Sequence, residues 1–285
     1  MKVLGSGRAN GAISIFHALG TGRGCSVGIQ LETQVQIVDQ SNEVNDDRHG
    51  LLASVEYCWR EQGLPFPEQF GWVVESTVPI GQGLKSSSAL SCAAFRALNS
   101  CAWTGLSNSE IADLSAKSQL MSGCAITGSM DDTWASLEPG WKLVDPSLRA
   151  SDSIIIQGAM DNSLSVLVCL RGQRSKEISS PRFLEQLPIF ERSLASIMSG
   201  SALDSLSSNG MAVSAATDDH EALRISNICI ASGAIASGIS GSGPAIAVIC
   251  FEDDADSISA VIDEMGHPTI QTRFASNATA VEEVS

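Results

Sequence analysis

A glycine- and serine-rich stretch between a predicted strand and a predicted helix, residues 79–90, constrains this chain most. Residues 70–78 before it are rich in β-branched and aromatic side chains and predict a strand. Pro79 ends that strand because it has no N–H to donate. Residues 88–98 are rich in alanine and predict a helix. A helix that begins just after glycines exposes unpaired N–H groups, which an anion such as a polyphosphate can approach closely.

The polar side chains of this stretch leave two interpretations open. Lys85 and the three serines after it can bind phosphate by charge and by hydroxyl hydrogen bonds, and a serine can also be a ligand of Mg²⁺. Alternatively, the glycines only form a tight turn and the serines only cap a helix. The stretch is not a Walker A loop, because Leu84 rather than a glycine precedes Lys85.

A second glycine-rich stretch, residues 238–244, leads into an apolar run at 245–250. Such glycine density indicates close approach of a backbone or a ligand, since no side chain is in the way. Two interpretations of this stretch therefore remain: the entrance to a plain hairpin, or a loop that lines a ligand.

Two adjacent carboxylates, Asp131 and Asp132, follow a glycine at position 128. Neighbouring negative charges repel each other unless something offsets the repulsion. One carboxylate could accept a proton from a substrate hydroxyl or orient that hydroxyl, while the other holds Mg²⁺. The alternative is a pair of acidic residues that caps a helix.

Together these stretches resemble the motifs of the GHMP kinase superfamily. The order Pro-x-x-x-Gly-Leu-x-Ser-Ser-Ser-Ala over residues 79–89 is similar to its phosphate-binding motif, and residues 238–244 are similar to its C-terminal motif. The resemblance implies an α+β fold of two halves, the first like ribosomal protein S5 and the second ferredoxin-like, with the active site between them. We therefore expect an N-terminal nucleotide-binding domain at 1–147 and a C-terminal domain at 148–285.

The opening stretch, residues 5–29, together with the motifs at 83–89 and 126–132, resembles archaeal-type shikimate kinases within that superfamily. This resemblance implies transfer of the γ-phosphoryl group of ATP to the 3-hydroxyl of shikimate with Mg²⁺, a step of chorismate and aromatic amino acid biosynthesis. Two alternatives stay open. One is a GHMP kinase for another small hydroxyl acceptor, such as homoserine or pantoate, and the other is a catalytically silent nucleotide-binding protein.

The same resemblance assigns the site residues. It implies catalytic roles for Asp131, Lys85 and Arg8. The residues expected to bind the nucleotide are Pro79, Gly81, Gly83, Leu84, Lys85, Ser86, Ser87, Ser88, Ala89, Gly241, Ser242 and Gly243. The superfamily often has a Mg²⁺-binding Glu upstream of the acidic pair, but residues 117–122 contain no carboxylate. Ser88 and Asp132 are therefore the expected metal ligands, with Ser87 and Glu75 as further candidates.

An anionic acceptor such as shikimate needs a cation for its carboxylate, and arginine suits that geometry. The candidate arginines are Arg8, Arg23, Arg171 and Arg174, and a solvated surface loop is the alternative for Arg171 and Arg174.

Composition and charge exclude several other classes. The net charge of -15 argues against nonspecific nucleic-acid binding, which needs a surplus of basic residues. The eight cysteines form no Cys-x-x-Cys pair, and we interpret them as buried small hydrophobic residues. The four histidines are interpreted as structural, and only His17 lies near a motif. No apolar run approaches the roughly 18 residues of a membrane span, so we expect a cytoplasmic protein. As partners we expect a small-molecule substrate, with the protein a monomer or homodimer.

Overall fold

The computed structural model describes residues 1–42, 44, 47, 49–125, 128–172 and 178–276. Within them the strands are β1 (Val3–Phe16), β2 (Gly24–Val38), β3 (Gly71–Ser76), β4 (Trp141–Val144), β5 (Ile154–Gly158), β6 (Leu164–Cys169), β7 (Ala236–Ile239), β8 (Ile246–Phe251) and β9 (Thr269–Arg273). The helices are α1 (Ala18–Thr21), α2 (Leu51–Glu61), α3 (Ser86–Ala102), α4 (Asn108–Met121), α5 (Met130–Leu137), α6 (Ala150–Ser153), α7 (Ser180–Glu185), α8 (Leu187–Met198), α9 (Ala202–Ala216), α10 (His220–Ala231) and α11 (Ala255–Glu264).

The strands form two antiparallel sheets, so the predicted α+β class is confirmed. The first sheet has the order β1-β2-β4-β5, and β3 pairs with the second half of β2. The second sheet has the order β7-β8-β6-β9. The predicted domain boundary after residue 147 stays a prediction. We note that β5 follows this point in the chain and pairs with β4 in the first sheet.

Helix α3 lies directly on the backbone of β1, and glycines make this possible. A Cβ at Gly5 would lie 2.5 Å from the Ala97 carbonyl oxygen, and one at Gly7 would lie 2.3 Å from that of Ala93. Both distances are shorter than any real contact, so glycine is required at these two positions on β1. The close approach holds the second half of α3 against β1, and the N-terminal end of the same helix lies at the site.

Two helices differ from what the sequence predicts. The helix predicted at 88–98 spans Ser86–Ala102. Helix α9 was not predicted, since its serines, glycine and asparagine have weak helix propensity. It is stabilised by burial instead: Gly210 lies so close to Gly238 of β7 that a Cβ would be 2.5 Å from the Gly238 Cα.

In the part of the chain that the structure describes, no helix is both long enough and apolar enough to cross a bilayer.

The contact between α3 and β1 predicts a large effect of Gly7→Ala. The added methyl group would meet the α3 backbone, and overpacking of this kind costs about 3 kcal/mol of the free energy of unfolding. The matched control is Ser6→Ala, on the exposed face of the same strand, where a change within about 0.5 kcal/mol is expected. Urea denaturation measures both, and equal losses would contradict the proposed role of Gly7.

Candidate active site

The loop before α3 has the backbone geometry of an anion site. Gly81 and Gly83 have φ values of 74° and 79°, and Lys85 has φ 63°, a conformation that costs a non-glycine residue energy. The first α-helical hydrogen bond runs from the Ala89 N–H to the Lys85 carbonyl. The amides of residues 86–88 therefore lie in the first turn of α3, where a helix leaves its N–H groups without an intrahelical partner.

The two glycine-rich stretches meet in space. Ser240 donates its hydroxyl hydrogen to the Gly83 carbonyl at 2.9 Å and accepts a hydrogen bond from the Ser14 N–H at 3.2 Å. The Ala245 N–H also donates to the Gln82 carbonyl. A Cβ at Gly83 would lie 2.3 Å from the Ser240 carbonyl oxygen, so this contact requires glycine. The loop before α3 is thus held by the loop between β7 and β8.

Lys85 connects that loop to the acidic pair. Asp131 and Asp132 lie in the first turn of α5, and both are buried. The Lys85 Nζ is 2.9 Å from the Asp132 Oδ1. Nζ also lies against Gly241, where a Cβ would be only 3.1 Å away. Because little water reaches this ion pair, its attraction is stronger than that of a surface pair.

Ser26 of β2 joins the two carboxylates. Its hydroxyl oxygen lies 2.9 Å from the Asp131 Oδ2 and 2.7 Å from the Asp132 Oδ1. Burial, and secondarily the negative charge of Asp132, raise the pKa of Asp131 to about 7. Burial acts in the same direction on Asp132, but the Lys85 ammonium and the Ser26 hydroxyl outweigh it and lower the pKa of that carboxyl below its usual value. Near neutral pH, Asp131 can therefore hold or release a proton, whereas Asp132 stays ionised.

These groups face a cavity of about 400 Å³, which we call the acidic cavity. It is lined by Ser14, His17, Ala18, Leu19, Gly81, Gly83, Lys85, Ser86, Ser87, Gly123, Cys124, Ala125, Ser129, Asp131, Asp132, Ile178, Gly241 and Ser242. A second cavity of about 520 Å³, the apolar cavity, is lined by residues that include Val73, Val74 and Leu90. The two cavities share Ser86, Ser87 and Cys124, so they adjoin at the N-terminus of α3.

The structure brings together nine of the predicted site residues as lining of the acidic cavity: Gly81, Gly83, Lys85, Ser86, Ser87, Asp131, Asp132, Gly241 and Ser242. Leu84 and Ala89 instead lie in the hydrophobic core, where they support the loop from behind. Pro79 and Gly243 flank the two loops without lining either cavity. Ile126 and Thr127 of the acidic motif lie outside the described residues.

The position of Ser88 does not support the prediction that it binds a metal. Ser88 is fully buried, and its hydroxyl donates to the Gln119 Oε1 at 2.9 Å. Glu75, a further candidate, is exposed on β3 and lines neither cavity. In the described residues, no group of three or more histidine, cysteine or acidic side chains is arranged to hold a metal ion. Asp132 and the hydroxyls of Ser86 and Ser87 remain as oxygen donors beside the cavity.

The position of Arg8 does not support a catalytic role either. It lies six residues before Ser14 on β1, which is about 20 Å along an extended strand. Its side chain is more than half exposed, and its Nε lies 3.7 Å from the Glu32 Oε1. Arg8 lies here because side chains alternate in direction along β1 and because the register of β1 sets which residues lie beside one another. The sequence motif does not encode that register.

Two further candidate arginines, Arg171 and Arg23, do not line the acidic cavity. Arg171 is partly buried and donates to the Asp219 carboxylate and, at 2.7 Å, to the Pro244 carbonyl. It therefore braces the loop that contains Gly241 instead of facing a ligand. Arg23 is exposed. Arg174 lies outside the described residues.

Sequence reasoning missed four residues at the site. Ser14 and His17 line the acidic cavity, Ser26 joins the carboxylates, and Gln119 contacts Ser87 and Ser88. Only His17 carried a signal, its closeness to a motif. A serine in a strand and a glutamine in a helix are too common to be recognised without their neighbours in space.

Two family models match the chain. The model described as "GHMP kinases N terminal domain" matches residues 51–140, and "GHMP kinases C terminal" matches residues 221–268. Among solved structures, the fold is similar to the mevalonate kinase of Methanococcus jannaschii, with a TM-score of 0.76 at 14% identity, covering 95% of this chain and 98% of that one. The galactokinase of Lactococcus lactis is similar at a TM-score of 0.75 and 9% identity, covering 95% and 94%. The chain thus contains matches to both the N-terminal and the C-terminal domain of the GHMP kinases, a class that implies ATP as the substrate.

Curated relatives give a narrower comparison. A protein of Methanothermobacter thermautotrophicus described as shikimate kinase is 26% identical over 89% of this chain and 90% of its own length. One of Pyrococcus abyssi with the same description is 29% identical over 88% of this chain and 93% of its own length. The similarity therefore extends over nearly all of each protein.

The raised pKa of Asp131 predicts a specific dependence of stability on pH. Between about pH 4, where an unfolded Asp ionises, and about pH 7, the unfolded chain loses this proton while the folded protein keeps it. The contribution of Asp131 to stability therefore falls as the pH rises through this window. We expect Asp131→Asn to become more stable relative to the wild type from pH 4 to pH 7, measured by urea denaturation.

The control is Asp161→Asn. The Ser163 hydroxyl lowers the pKa of this exposed carboxyl, so its effect on stability should not change across the same window. If the difference in the free energy of unfolding between Asp131→Asn and the wild type also stayed constant from pH 4 to pH 7, this would contradict the raised pKa of Asp131.

Proposed function

We propose that the protein is an ATP-dependent shikimate kinase that forms shikimate 3-phosphate and ADP. The observation that carries this proposal is the arrangement of Lys85, Asp132 and Asp131 where two adjoining cavities meet at the N-terminus of α3. The relatives described as shikimate kinase support this acceptor. We place the enzyme in the cytoplasm, as a monomer or homodimer with a small-molecule substrate.

The nucleotide extends across both cavities in this proposal. The apolar cavity, with Val73, Val74 and Leu90, offers a surface for the base. The triphosphate lies at the N-terminus of α3, where the amides of residues 86–88 and the helix dipole favour negative charge. The Lys85 ammonium stabilises the charge on the transferred group, since phosphoryl transfer depends on positioning and charge neutralisation.

The acceptor lies in the acidic cavity, whose volume of about 400 Å³ suits a small polyol. Ser14, His17 and Ser129 offer polar groups to its hydroxyls, while Leu19 and Ile178 offer apolar contact to its ring. Asp131 accepts the proton of the attacking hydroxyl or orients that hydroxyl. A carboxyl with a pKa of about 7 suits proton transfer at neutral pH.

The oxygen donors at the site fit Mg²⁺, which takes one or two protein carboxylates and fills its shell with waters and substrate phosphates. Asp132 and the hydroxyls of Ser86 and Ser87 would hold it beside the first turn of α3. When bound, it neutralises charge on the phosphates. The ion pair with Lys85 keeps Asp132 ionised, as such a ligand must be.

An ADP-release assay with ATP and Mg²⁺ against shikimate, homoserine, pantoate and mevalonate tests the proposal. We expect turnover with shikimate alone. Asp131→Asn should lower kcat by about 100-fold or more, as loss of a general base does. Asp161→Asn, at an exposed turn, is the matched control and should retain wild-type activity.

Turnover only with another acceptor would overturn the assignment of shikimate while leaving the kinase class intact. Binding of ATP without turnover of any acceptor would instead favour a silent nucleotide-binding protein.

The ion pair with Asp132 predicts the effect of Lys85→Met. Loss of the ammonium removes charge stabilisation from the transferred group, and kcat/KM should fall by about 100-fold. Lys117→Met is the control, since Lys117 pairs with Glu61 on the surface, and we expect its kcat/KM within about twofold of the wild type. Steady-state kinetics measure both variants, and a similar small effect of each would argue against a catalytic role of Lys85.

A further inference from the structure

We propose that Ser26 is a positioning residue that holds the Asp131 carboxylate in its reactive orientation; this rests on the role of Asp131 in the proposed function. Ser26 does not line the acidic cavity, and only 1% of its surface is exposed. It therefore acts on the acceptor only through the carboxylates that it contacts.

The contact is built into the spacing of β2. Residues two apart in a strand face the same side of the sheet, so Gly24, Ser26 and Gly28 form one row. Residues four apart on a helix lie on one face, and Asp131 and Ala135 of α5 face this row. The row has a small residue at each position where α5 comes close to the backbone of β2.

The two glycines leave no room for any side chain. A Cβ at Gly24 would lie 2.5 Å from the Asp131 Cγ and 2.6 and 2.8 Å from its two carboxylate oxygens. A Cβ at Gly28 would lie 2.5 Å from the Ala135 carbonyl oxygen. The carboxylate of Asp131 thus rests directly on the backbone at Gly24, and this position brings its Oδ2 within 2.9 Å of the Ser26 hydroxyl.

Ser26 provides a directed hydrogen bond, which the two glycines of the row cannot provide because they have no side chain. Its hydroxyl contacts one oxygen of Asp131 and one of Asp132, and Lys85 holds that same Asp132 oxygen. The three contacts form a chain from the ammonium to Asp131, so the orientation of Asp131 is tied to the group that neutralises phosphate charge. Without the hydroxyl, the buried Asp131 carboxylate loses a partner and its fixed rotamer.

The test is a double-mutant cycle of Ser26→Ala and Asp131→Asn, read as kcat with the acceptor that the wild type turns over and as ATP affinity by calorimetry. We expect Ser26→Ala to lower kcat about tenfold with ATP affinity within about twofold, because a positioning residue affects catalysis more than binding. In the Asp131→Asn background, the same change should alter kcat by less than about twofold. The control is Ser136→Ala, which removes a buried hydroxyl of α5 that donates only to the backbone carbonyl of Asp132.

Several outcomes would overturn the inference. The first is a kcat of Ser26→Ala within about twofold of the wild-type value. The second is a fold-loss of kcat on Ser26→Ala that is as large in the Asp131→Asn background as in the wild type, and the third is a fold-loss of kcat in Ser136→Ala as large as that in Ser26→Ala. Failure of the proposed function looks different, since the wild type itself would then use another acceptor or none. A crystal structure of Ser26→Ala decides the matter in that case: a displaced Asp131 carboxylate supports the inference, and an unmoved one overturns it.

Discussion

The ion pair between Lys85 and Asp132 is the interaction on which the site depends. Lys85 has a left-handed backbone conformation and its cation lies near the positive end of the α3 dipole, and both features are unfavourable. The Asp132 carboxylate at 2.9 Å offsets them, and Gly241 leaves the space that the ammonium occupies. Three segments that are distant in sequence are thereby held at one point, where the phosphate-binding loop, the acidic helix and the C-terminal glycine loop meet.

Buried polar contacts then fix α5 relative to α3 from the side opposite β2. The Gln119 side chain of α4 accepts hydrogen bonds from Ser87 and Ser88 and donates one to the Thr133 hydroxyl at 3.2 Å. Gln119 is fully buried, so an unmet partner in this network would be costly. The network keeps the first turn of α3 and the first turn of α5, the two elements that carry the reacting groups in the proposed mechanism, at a constant separation.

The sequence predicted the parts of this site that local backbone chemistry encodes. Glycines that allow positive φ and serines that begin a helix are informative by residue type alone, so the loop at 81–87 and the acidic pair were recognisable. Contacts that depend on strand register could not be recognised from residue type. For this reason Arg8 was expected at a site from which it lies away, and Ser26 was missed. Arg171 followed a strand as an anion-binding residue can, but nothing in the sequence revealed that Asp219 would pair with it.

The negative charge of the chain and of the site opposes the binding of anions, and protonation within the acidic pair lessens this repulsion. The chain carries a net charge of -15, and among the described residues that line the acidic cavity Lys85 is the only lysine or arginine. In the proposed function, two anionic substrates must nevertheless enter. With a pKa of about 7, Asp131 carries its proton in a large fraction of molecules at neutral pH, which removes one negative charge from the cavity as the anions bind. A bound anion raises the pKa of Asp131 further, whereas the Lys85 ammonium lowers it, so in the proposed mechanism Asp131 must release this proton to solvent before it can accept one from the acceptor hydroxyl.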